Sequence, residues 1–342
     1  MSGGNGNKAE WKREAWIDML RGFGILLVIV GHSRCPDILT IFIYGFHMPL
    51  FFVLSGFLFN ATKCGQEELK HYIQRKWKAY MIPYFALCLC NLVATLFIKY
   101  LVHIRGMELL YAALRHSFYI LYSFGDASKM PSCSPLWFLP CLFISDIYLY
   151  IFLRLSKVKK GVMLLTGIIA IAWLVNNDIT QLPWHFDIAF LGMIFMYIGL
   201  ILQRYAILEK IKIMHQLVIL CCGGVLILQN TRVDMLSRKF CNPLLFFIGS
   251  TCLVIVCMSV FYKQKGVKLL SWIGRNSMFF MGFNLLVNGC MYAVEKRIGL
   301  GGLMPYEWLL NFVINVLVIS LLVLLWKIFK KKTAEYRTNS CL

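Results

Sequence analysis

Two side chains with the chemistry of an active site, Arg21 and His32, lie in one apolar stretch, IDMLRGFGILLVIVGHSR, at residues 17 to 34. They are eleven positions apart, so on a helix they share a face and lie about 16 Å apart along its axis. An imidazole accepts a proton near neutral pH, and a guanidinium holds anions through parallel hydrogen bonds. Asp18, three residues before Arg21, can pair with it on that face. The spacing therefore predicts a functional helix face.

A simpler interpretation of each residue alone stays open. In that interpretation, Arg21 extends to lipid phosphates and His32 marks the outer end of the helix. Three glycines accompany the pair, Gly22, Gly24 and Gly31, and small residues let a neighbouring helix or a ligand approach the backbone closely. Since ionisable residues inside a membrane segment are functional by default, the combined pattern favours a site.

The composition places this helix in a membrane. Of the 342 residues, 59% are hydrophobic and only 15% are charged, whereas a soluble chain of this length carries more charge. The apolar runs recur from end to end, with no polar domain between them and no internal repeat. The net charge of +19 comes from short basic clusters between these runs, which is typical of cytoplasmic loops and argues against nucleic-acid binding.

Apolar runs of about 20 residues, the length of one crossing, predict an all-α polytopic membrane protein with about ten transmembrane helices. The fifth run, from Gly161 to Val175, is short, and the ninth is interrupted by Arg275, Asn276, Asn284 and Asn288. The predicted helix centres are Ile25, Leu50, Ala86, Phe143, Ile169, Phe195, Leu220, Val254, Phe283 and Val318.

The distribution of basic residues predicts that both termini are cytoplasmic. Twenty-three of the 35 Lys and Arg residues lie in the two termini and in every second loop, and nine lie in the intervening loops, as expected for ten crossings. We expect residues 1–13 to form a cytoplasmic tail, 14–330 a single transmembrane domain, and 331–342 a basic cytoplasmic tail. The expected location is the plasma (inner) membrane.

Several motifs resemble those of acyltransferase family 3, and the resemblance spans nearly the whole chain. The subgroup it most resembles contains fucose 4-O-acetylase and related acetyltransferases. The resemblance implies a membrane O-acetyltransferase that moves an acetyl group from cytoplasmic acetyl-CoA to a hydroxyl of a cell-surface or exopolysaccharide sugar. The motifs are DMLRGFGILLVIVGH at 18–32, FHMPLFFVLSGFLF at 46–59, RKWKAYMIPY at 75–84, PLWFLPCLF at 135–143, LPWHFDIAFLGMIFMYIG at 182–199 and IGRNSM at 273–278.

This resemblance implies that His32 is the general base, which takes the proton of the sugar hydroxyl. Whether His32 activates the sugar directly or carries the acetyl group itself stays open. His47, near the outer side, is the second catalytic candidate, with an interfacial histidine bonded to backbone carbonyls as the alternative. No grouping of His and Cys suggests a metal site, so we expect no metal.

The acetyl-CoA donor is expected to bind on the cytoplasmic side through its phosphates. Arg21, Arg75 and Lys76 are the expected phosphate partners, because arginine in particular grips phosphate through two parallel hydrogen bonds. Ordinary positive charge in a cytoplasmic loop is the alternative explanation for Arg75 and Lys76, and it is the preferred one for Lys78.

The acceptor, a glycan or glycolipid, is expected on the outer side. Trp137 and Phe138 open the fourth predicted helix there, and Trp184 and Asp187 open the sixth. Aromatic rings stack on sugars and a carboxylate binds hydroxyls, although interfacial aromatic residues also anchor helices in lipid. These four residues are therefore candidates for substrate binding, together with Asp18.

One position departs from the resemblance. The subgroup often has a histidine seven residues after the Ser of the GRNS motif, and this chain has Asn284 there. An amide cannot act as a base, but it can donate a hydrogen bond to a substrate or an oxyanion. Asn284 is therefore a candidate for substrate binding rather than a second base.

Two other classes of function stay open. A transporter or flippase of a polysaccharide intermediate would also have ten helices and buried polar groups. Such proteins often show inverted repeats and paired broken helices, and the sequence predicts neither. A catalytically inactive scaffold is suggested only by Asn284. Lipids are expected partners in either case, and the sequence leaves the oligomeric state open.

Overall fold

The computed structural model describes residues 5–126, 133–176, 181–298 and 306–339. This part of the chain is helical, with no β-strand, so the predicted all-α class is confirmed. A π-helix covers Trp77–Met81, and short 3₁₀ segments cover Ser134–Trp137 and Pro183–His185. The α-helices are α1 Asn5–His32, α2 Asp37–Tyr44, α3 His47–Phe57, α4 Ala61–Gln66, α5 Leu69–Lys76, α6 Ile82–Leu101, α7 Met107–Tyr122, α8 Phe138–Arg154, α9 Lys157–Asn176, α10 Phe186–Arg204, α11 Ile207–Lys210, α12 Ile213–Gln229, α13 Pro243–Tyr262, α14 Lys268–Arg275, α15 Ser277–Ile298 and α16 Glu307–Asn339.

Eight segments of the described residues are long and apolar enough to cross a membrane, so the chain is a multi-pass membrane protein. They contain eight of the ten predicted helix centres. The other two centres, Ile169 and Leu220, lie in α9 and in the shorter apolar helix α12. The count of ten and the side of each terminus stay predictions. The eight segments are Ala15–His32, Asp37–Phe57, Leu69–Leu101, Ser134–Arg154, Pro183–Arg204, Pro243–Tyr262, Ser277–Arg297 and Glu307–Thr333.

The packing suits a lipid environment. Large apolar side chains such as Phe97 and Leu317 point outwards, while the polar side chains of Ser145, Asp146 and Asn315 are fully buried. An apolar surface of this extent indicates contact with lipid, and buried polar groups need partners inside the protein. Ser145 meets this requirement by donating its hydroxyl hydrogen to backbone carbonyls.

The second spanning segment, Asp37–Phe57, is broken, which the sequence did not predict. α2 ends at Tyr44 and α3 begins at His47. Between them Gly45 lies against Ile227, whose side chain would collide with a Cβ at that position. Non-helical backbone at membrane depth is tolerated where it lines a cavity or is buried in protein. The break places Tyr44 and His47 side by side at the end of one cavity.

α1 and α14 cross with their backbones in contact. A Cβ on Gly22 would overlap the carbonyl group of Leu270, and a Cβ on Gly274 would overlap the backbone of Asp18. Glycines permit such close crossings because they carry no side chain. Each glycine is the chain neighbour of an arginine, so the crossing brings Arg21 and Arg275 together. The predicted interruption of the ninth helix is confined to Asn276, between α14 and α15.

Candidate active site

One cavity of about 860 Å³ is lined by both Arg21 and His32. The two residues belong to α1, so the helix face predicted from their spacing is a cavity wall. Between them the wall is apolar and includes Ile25 and Val28 of α1 and Phe51 of α3. We call the two ends of this cavity the arginine end, at Arg21, and the histidine end, at His32.

The arginine end carries two guanidinium groups and one carboxylate. Arg21 and Arg275 both line the cavity there. Oxygens of the Asp18 carboxylate lie 3.7 Å from a nitrogen of Arg21 and 3.7 Å from a nitrogen of Arg275, which confirms the predicted contact between Asp18 and Arg21. The two arginine side chains keep 40% and 58% of their surface exposed. Their hydrogen-bond donors are therefore accessible to an anion.

The histidine end brings both predicted catalytic residues together around Tyr44. The centre of the Tyr44 ring lies 6.3 Å from that of His32 and 5.1 Å from that of His47. Nδ1 of His47 donates a hydrogen bond of 2.8 Å to the backbone carbonyl of Ile43. Since a carbonyl only accepts, the neutral ring carries its proton on Nδ1 and presents Nε2 as an acceptor. His47 thus makes the backbone contact considered in its alternative interpretation, and it also lines the cavity.

A hairpin at residues 230–242, between α12 and α13, covers the histidine end. Backbone hydrogen bonds of 2.8 and 3.0 Å between Asp234 and Lys239 close the hairpin, and the buried side chains of Val233 and Phe240 insert it into the protein. Asp234 lines the cavity and accepts a 2.7 Å hydrogen bond from the hydroxyl of Ser237. A carboxylate in this wall favours positive charge on a nearby imidazole.

An ion pair fixes the 230–242 hairpin to α10. Nε of Arg238 donates to a carboxylate oxygen of Asp187 at 2.5 Å, and the two side chains are only 9% and 0% exposed. Arg238 also donates to the backbone carbonyl of Leu236 at 2.9 Å. Asp187, predicted to bind the acceptor, therefore has an arginine partner inside the protein, and it is Arg238 that lines the cavity.

The three aromatic rings considered for the acceptor are not equally placed. Trp137 and Phe138, at the start of α8, line the cavity. Trp184 instead donates its indole N–H to the backbone carbonyl of Leu121 at 2.7 Å, and its ring lies 5.9 Å from that of Trp77. Trp137 and Phe138 are thus the predicted aromatic residues that can touch a ligand in the cavity.

Arg75 and Lys76, the other predicted phosphate partners, pair with acidic residues that do not line the cavity. Arg75 makes two hydrogen bonds to Glu67, of 3.1 and 2.7 Å, and these hold the pKa of the Glu67 carboxyl below its usual value. Nζ of Lys76 lies 2.6 Å from the buried carboxylate of Asp146, which also accepts from the Tyr72 hydroxyl at 2.7 Å. Both positive charges are already balanced within the protein.

Asn284 lies in a buried cluster of amides. Nδ2 of Asn315 donates to the side-chain oxygens of Asn284 and Asn288, at 3.2 and 2.8 Å. Nδ2 of Asn288 donates to the backbone carbonyl of His32 at 3.1 Å. The cluster therefore ties α15 and α16 to the end of α1. It connects Asn284 to His32 through protein hydrogen bonds.

Sequence reasoning gave no role to several polar residues that line the cavity, among them Tyr44, Arg275 and Asp234. Tyr44 lies three residues before His47, a spacing that on an unbroken helix would place both on one face. Arg275 belongs to the GRNS motif, where it was regarded only as an interruption of a helix. Asp234 lies in a loop, and a loop has no periodicity from which its direction could be predicted.

Metal-ligand groupings are not found in the part of the chain that the structure describes: no three or more His, Cys, Asp or Glu side chains converge there. The arrangement of the cavity is one end with two arginines and one end with two imidazoles, joined by an apolar wall. Such an arrangement can hold a charged group at one end while a proton is transferred at the other.

Comparison with known proteins gives one informative match. A family model described as an acyltransferase domain matches residues 14–332. This range contains every residue that lines the cavity. No curated protein and no solved structure matches the chain.

Proposed function

Since this chain belongs to acyltransferase family 3 and is a multi-pass membrane acyltransferase, we propose that it transfers an acetyl group from acetyl-CoA to a sugar hydroxyl. The proposed acceptor is a cell-surface glycan, an exopolysaccharide or a glycolipid intermediate, and the proposed location is the plasma membrane. The family motifs described above support a carbohydrate acceptor.

The observation that supports this proposal is the single cavity lined by Arg21 and His32. An acyl donor such as acetyl-CoA carries its phosphates at one end of an extended pantetheine arm and its thioester at the other. A phosphate group held at the arginine end leaves the arm to follow the apolar wall past Ile25 and Val28. The thioester then reaches the histidine end.

In the proposed reaction, His32 takes the proton of the acceptor hydroxyl as its oxygen attacks the thioester carbonyl carbon. The new C–O bond forms, the C–S bond breaks, and the proton on His32 passes to the leaving thiolate. The products are an acetylated sugar and coenzyme A. Asp234, in the hairpin that covers this end, stabilises the positive charge that His32 carries between the two proton transfers.

The acceptor is proposed to enter at the histidine end, where Trp137 and Phe138 line the cavity. Stacking of a sugar on these rings would orient one hydroxyl towards His32, and orientation of this kind supplies much of the rate enhancement of transfer reactions. His47 lies on the same side of the site and presents Nε2 as an acceptor. We assign His47 a role in proton transfer secondary to that of His32.

A transporter of a polysaccharide intermediate is the alternative, and the broken span at α2 and α3 is the observation that favours it. Transporters place binding sites at such breaks. In this chain the break places Tyr44 and His47 at the cavity that contains His32. An acyltransferase active site therefore explains the break as well as a transport site does. The family membership supports acyl transfer.

The experiment is transfer of radiolabelled acetyl groups from acetyl-CoA to glycans in membranes that contain the full-length protein. We expect label in the glycan fraction with the wild-type protein and none with His32→Ala. His71→Ala is the matched control, because His71 is an exposed histidine beside Glu68, away from the cavity, and its loss leaves transfer at the wild-type rate.

Two results would contradict the proposal. If His32→Ala inserts normally and transfers acetyl at the wild-type rate, His32 is not the base. If the wild-type protein moves a glycolipid across the membrane without needing an acetyl donor, and no label is transferred, the chain is a transporter of that glycolipid.

A further inference from the structure

We propose that Arg275 forms, with Arg21, a binding site for a phosphate group at the arginine end of the cavity, and that its occupant is the diphosphate of the acyl donor. This inference rests on the proposed function for the identity of the donor. It replaces Arg75 and Lys76, expected from the sequence to hold the phosphates, with a residue from a different part of the chain.

The first support is the geometry of the helix crossing. Gly22 and Gly274 let the backbones of α1 and α14 touch, and the arginines that follow or precede these glycines lie on the same cavity wall. A diphosphate has two anionic groups a few bonds apart. Two guanidinium groups that each lie 3.7 Å from the carboxylate of Asp18 can contact both anionic groups, whereas one arginine can grip only one of them.

The second support is the balance of charge. Asp18 contacts both arginines, at 3.7 Å each, a distance longer than a direct hydrogen bond. One carboxylate shared by two guanidinium groups leaves one net positive charge at this end. Asp18 also reduces the repulsion between the two arginines, so the pair stays in place while the site is empty.

The third support is the contrast with Arg75. Its guanidinium makes two short hydrogen bonds to the single carboxylate of Glu67, which is the geometry that a phosphate would otherwise use. Arg275 has no such bidentate partner among the described residues and keeps more than half of its side chain exposed. Of these two arginines, Arg275 has its donors available for a ligand.

A phosphate group could come from the donor or from a lipid headgroup, because the same guanidinium chemistry binds both. The position of the arginines separates the two sources. Arg21 and Arg275 line an internal cavity that continues past Ile25 to His32, whereas a headgroup at the membrane surface needs no such continuation. The cavity favours the donor as the occupant.

The test is calorimetric binding to the full-length protein, purified in detergent and reconstituted in nanodiscs of phosphatidylcholine, with or without phosphatidylglycerol. The probes are coenzyme A, inorganic pyrophosphate and S-acetylpantetheine, which lacks the nucleotide. We expect Arg275→Gln to weaken binding of coenzyme A and pyrophosphate by about tenfold to a hundredfold. Binding of S-acetylpantetheine should not change. Arg75→Gln, the matched control, should bind all three probes as the wild-type protein does.

The outcomes separate the inference from the proposed function. Equal affinity of Arg275→Gln and the wild-type protein for coenzyme A overturns the inference. A phosphatidylglycerol requirement that depends on Arg275, with coenzyme A binding unchanged, assigns the arginines to lipid and also overturns it. If the wild-type protein binds pyrophosphate through Arg275 but does not bind coenzyme A, the phosphate site stands and acetyl-CoA as donor is wrong. Thermal unfolding of each variant shows that the protein is folded, and Arg275→Lys should recover part of the lost affinity.

Discussion

Nε of Arg238 lies 2.5 Å from a carboxylate oxygen of Asp187, 51 residues earlier in the chain, and both side chains are buried. This contact joins the 230–242 hairpin, which carries Asp234, to the start of α10. The cover over the histidine end is therefore held by a charge pair that water reaches poorly.

We predict that breaking this pair destabilises the protein and opens the cavity. Asp187→Asn leaves the buried guanidinium of Arg238 without its counter-charge, which costs about 3–5 kcal/mol in comparable buried pairs. Thermal unfolding in detergent should show the loss, and acetyl transfer should fall with it.

The double variant Asp187→Asn with Arg238→Gln is the control, because it removes both charges. It should be more stable than Asp187→Asn alone. Equal stability of the wild-type protein and Asp187→Asn would show that the pair does not hold the hairpin.

The role of His47 can be separated from its structural hydrogen bond. In His47→Asn, the amide nitrogen can replace Nδ1 as donor to the Ile43 carbonyl, but the acceptor at Nε2 is lost. We predict nearly unchanged stability and a fall in kcat of about 10²–10⁴-fold, the usual contribution of proton transfer by a positioned side chain. A kcat at the wild-type level would mean that His47 acts only through its contact with Ile43.

The amide cluster should affect His32 through the backbone. Asn288→Ala removes the donor to the His32 carbonyl, which should cost about 1–3 kcal/mol of stability and lower kcat more than it changes KM. Asn91→Ala is a matched control, because Asn91 is a buried asparagine on another helix that donates to two backbone carbonyls, of Leu87 and Gly282.

Stability should fall in both asparagine variants, and kcat per folded molecule should fall only in Asn288→Ala. The same loss of kcat in both variants would indicate a general effect of helix packing, with no specific link between Asn288 and His32.

The crossing of α1 and α14 gives a fourth prediction. Gly274→Ala forces a methyl group into the backbone of Asp18, so we expect a loss of about 1–3 kcal/mol and weaker binding of coenzyme A. Gly224→Ala adds a methyl group into open space on α12 and should leave both quantities unchanged. If Gly274→Ala binds coenzyme A normally, close contact of these helices is not needed for the phosphate site.

The helix face of Arg21 and His32 was predictable because helical periodicity is local, and eleven residues of one helix fix their relative direction. The partners of Lys76 and Asp187 were not predictable. Asp146 lies 70 residues after Lys76, and Arg238 lies in a loop, so only the tertiary packing brings either partner into contact. The same limit applies to Arg275, since the contact of Gly274 with Gly22 depends on two helices distant in the chain.

The break at Gly45 was missed for a different reason. The residues around it are as apolar as those of an unbroken helix, and a hydropathy pattern reports only whether a segment fits in lipid. At the break, Gly45 lies against Ile227 of another helix, and a contact with a residue so distant in the chain leaves no mark in the hydropathy of the segment itself.

The apolar wall between the two ends of the cavity also affects whether protons can leak through the protein. A continuous file of water from one face to the other would conduct protons, and narrow hydrophobic constrictions prevent this by dewetting. Ile25, Val28 and Phe51 offer no donor or acceptor to such a file. We therefore expect the proposed transfer of acyl groups between compartments to leave the protein tight to ions, so that the membrane potential is not dissipated.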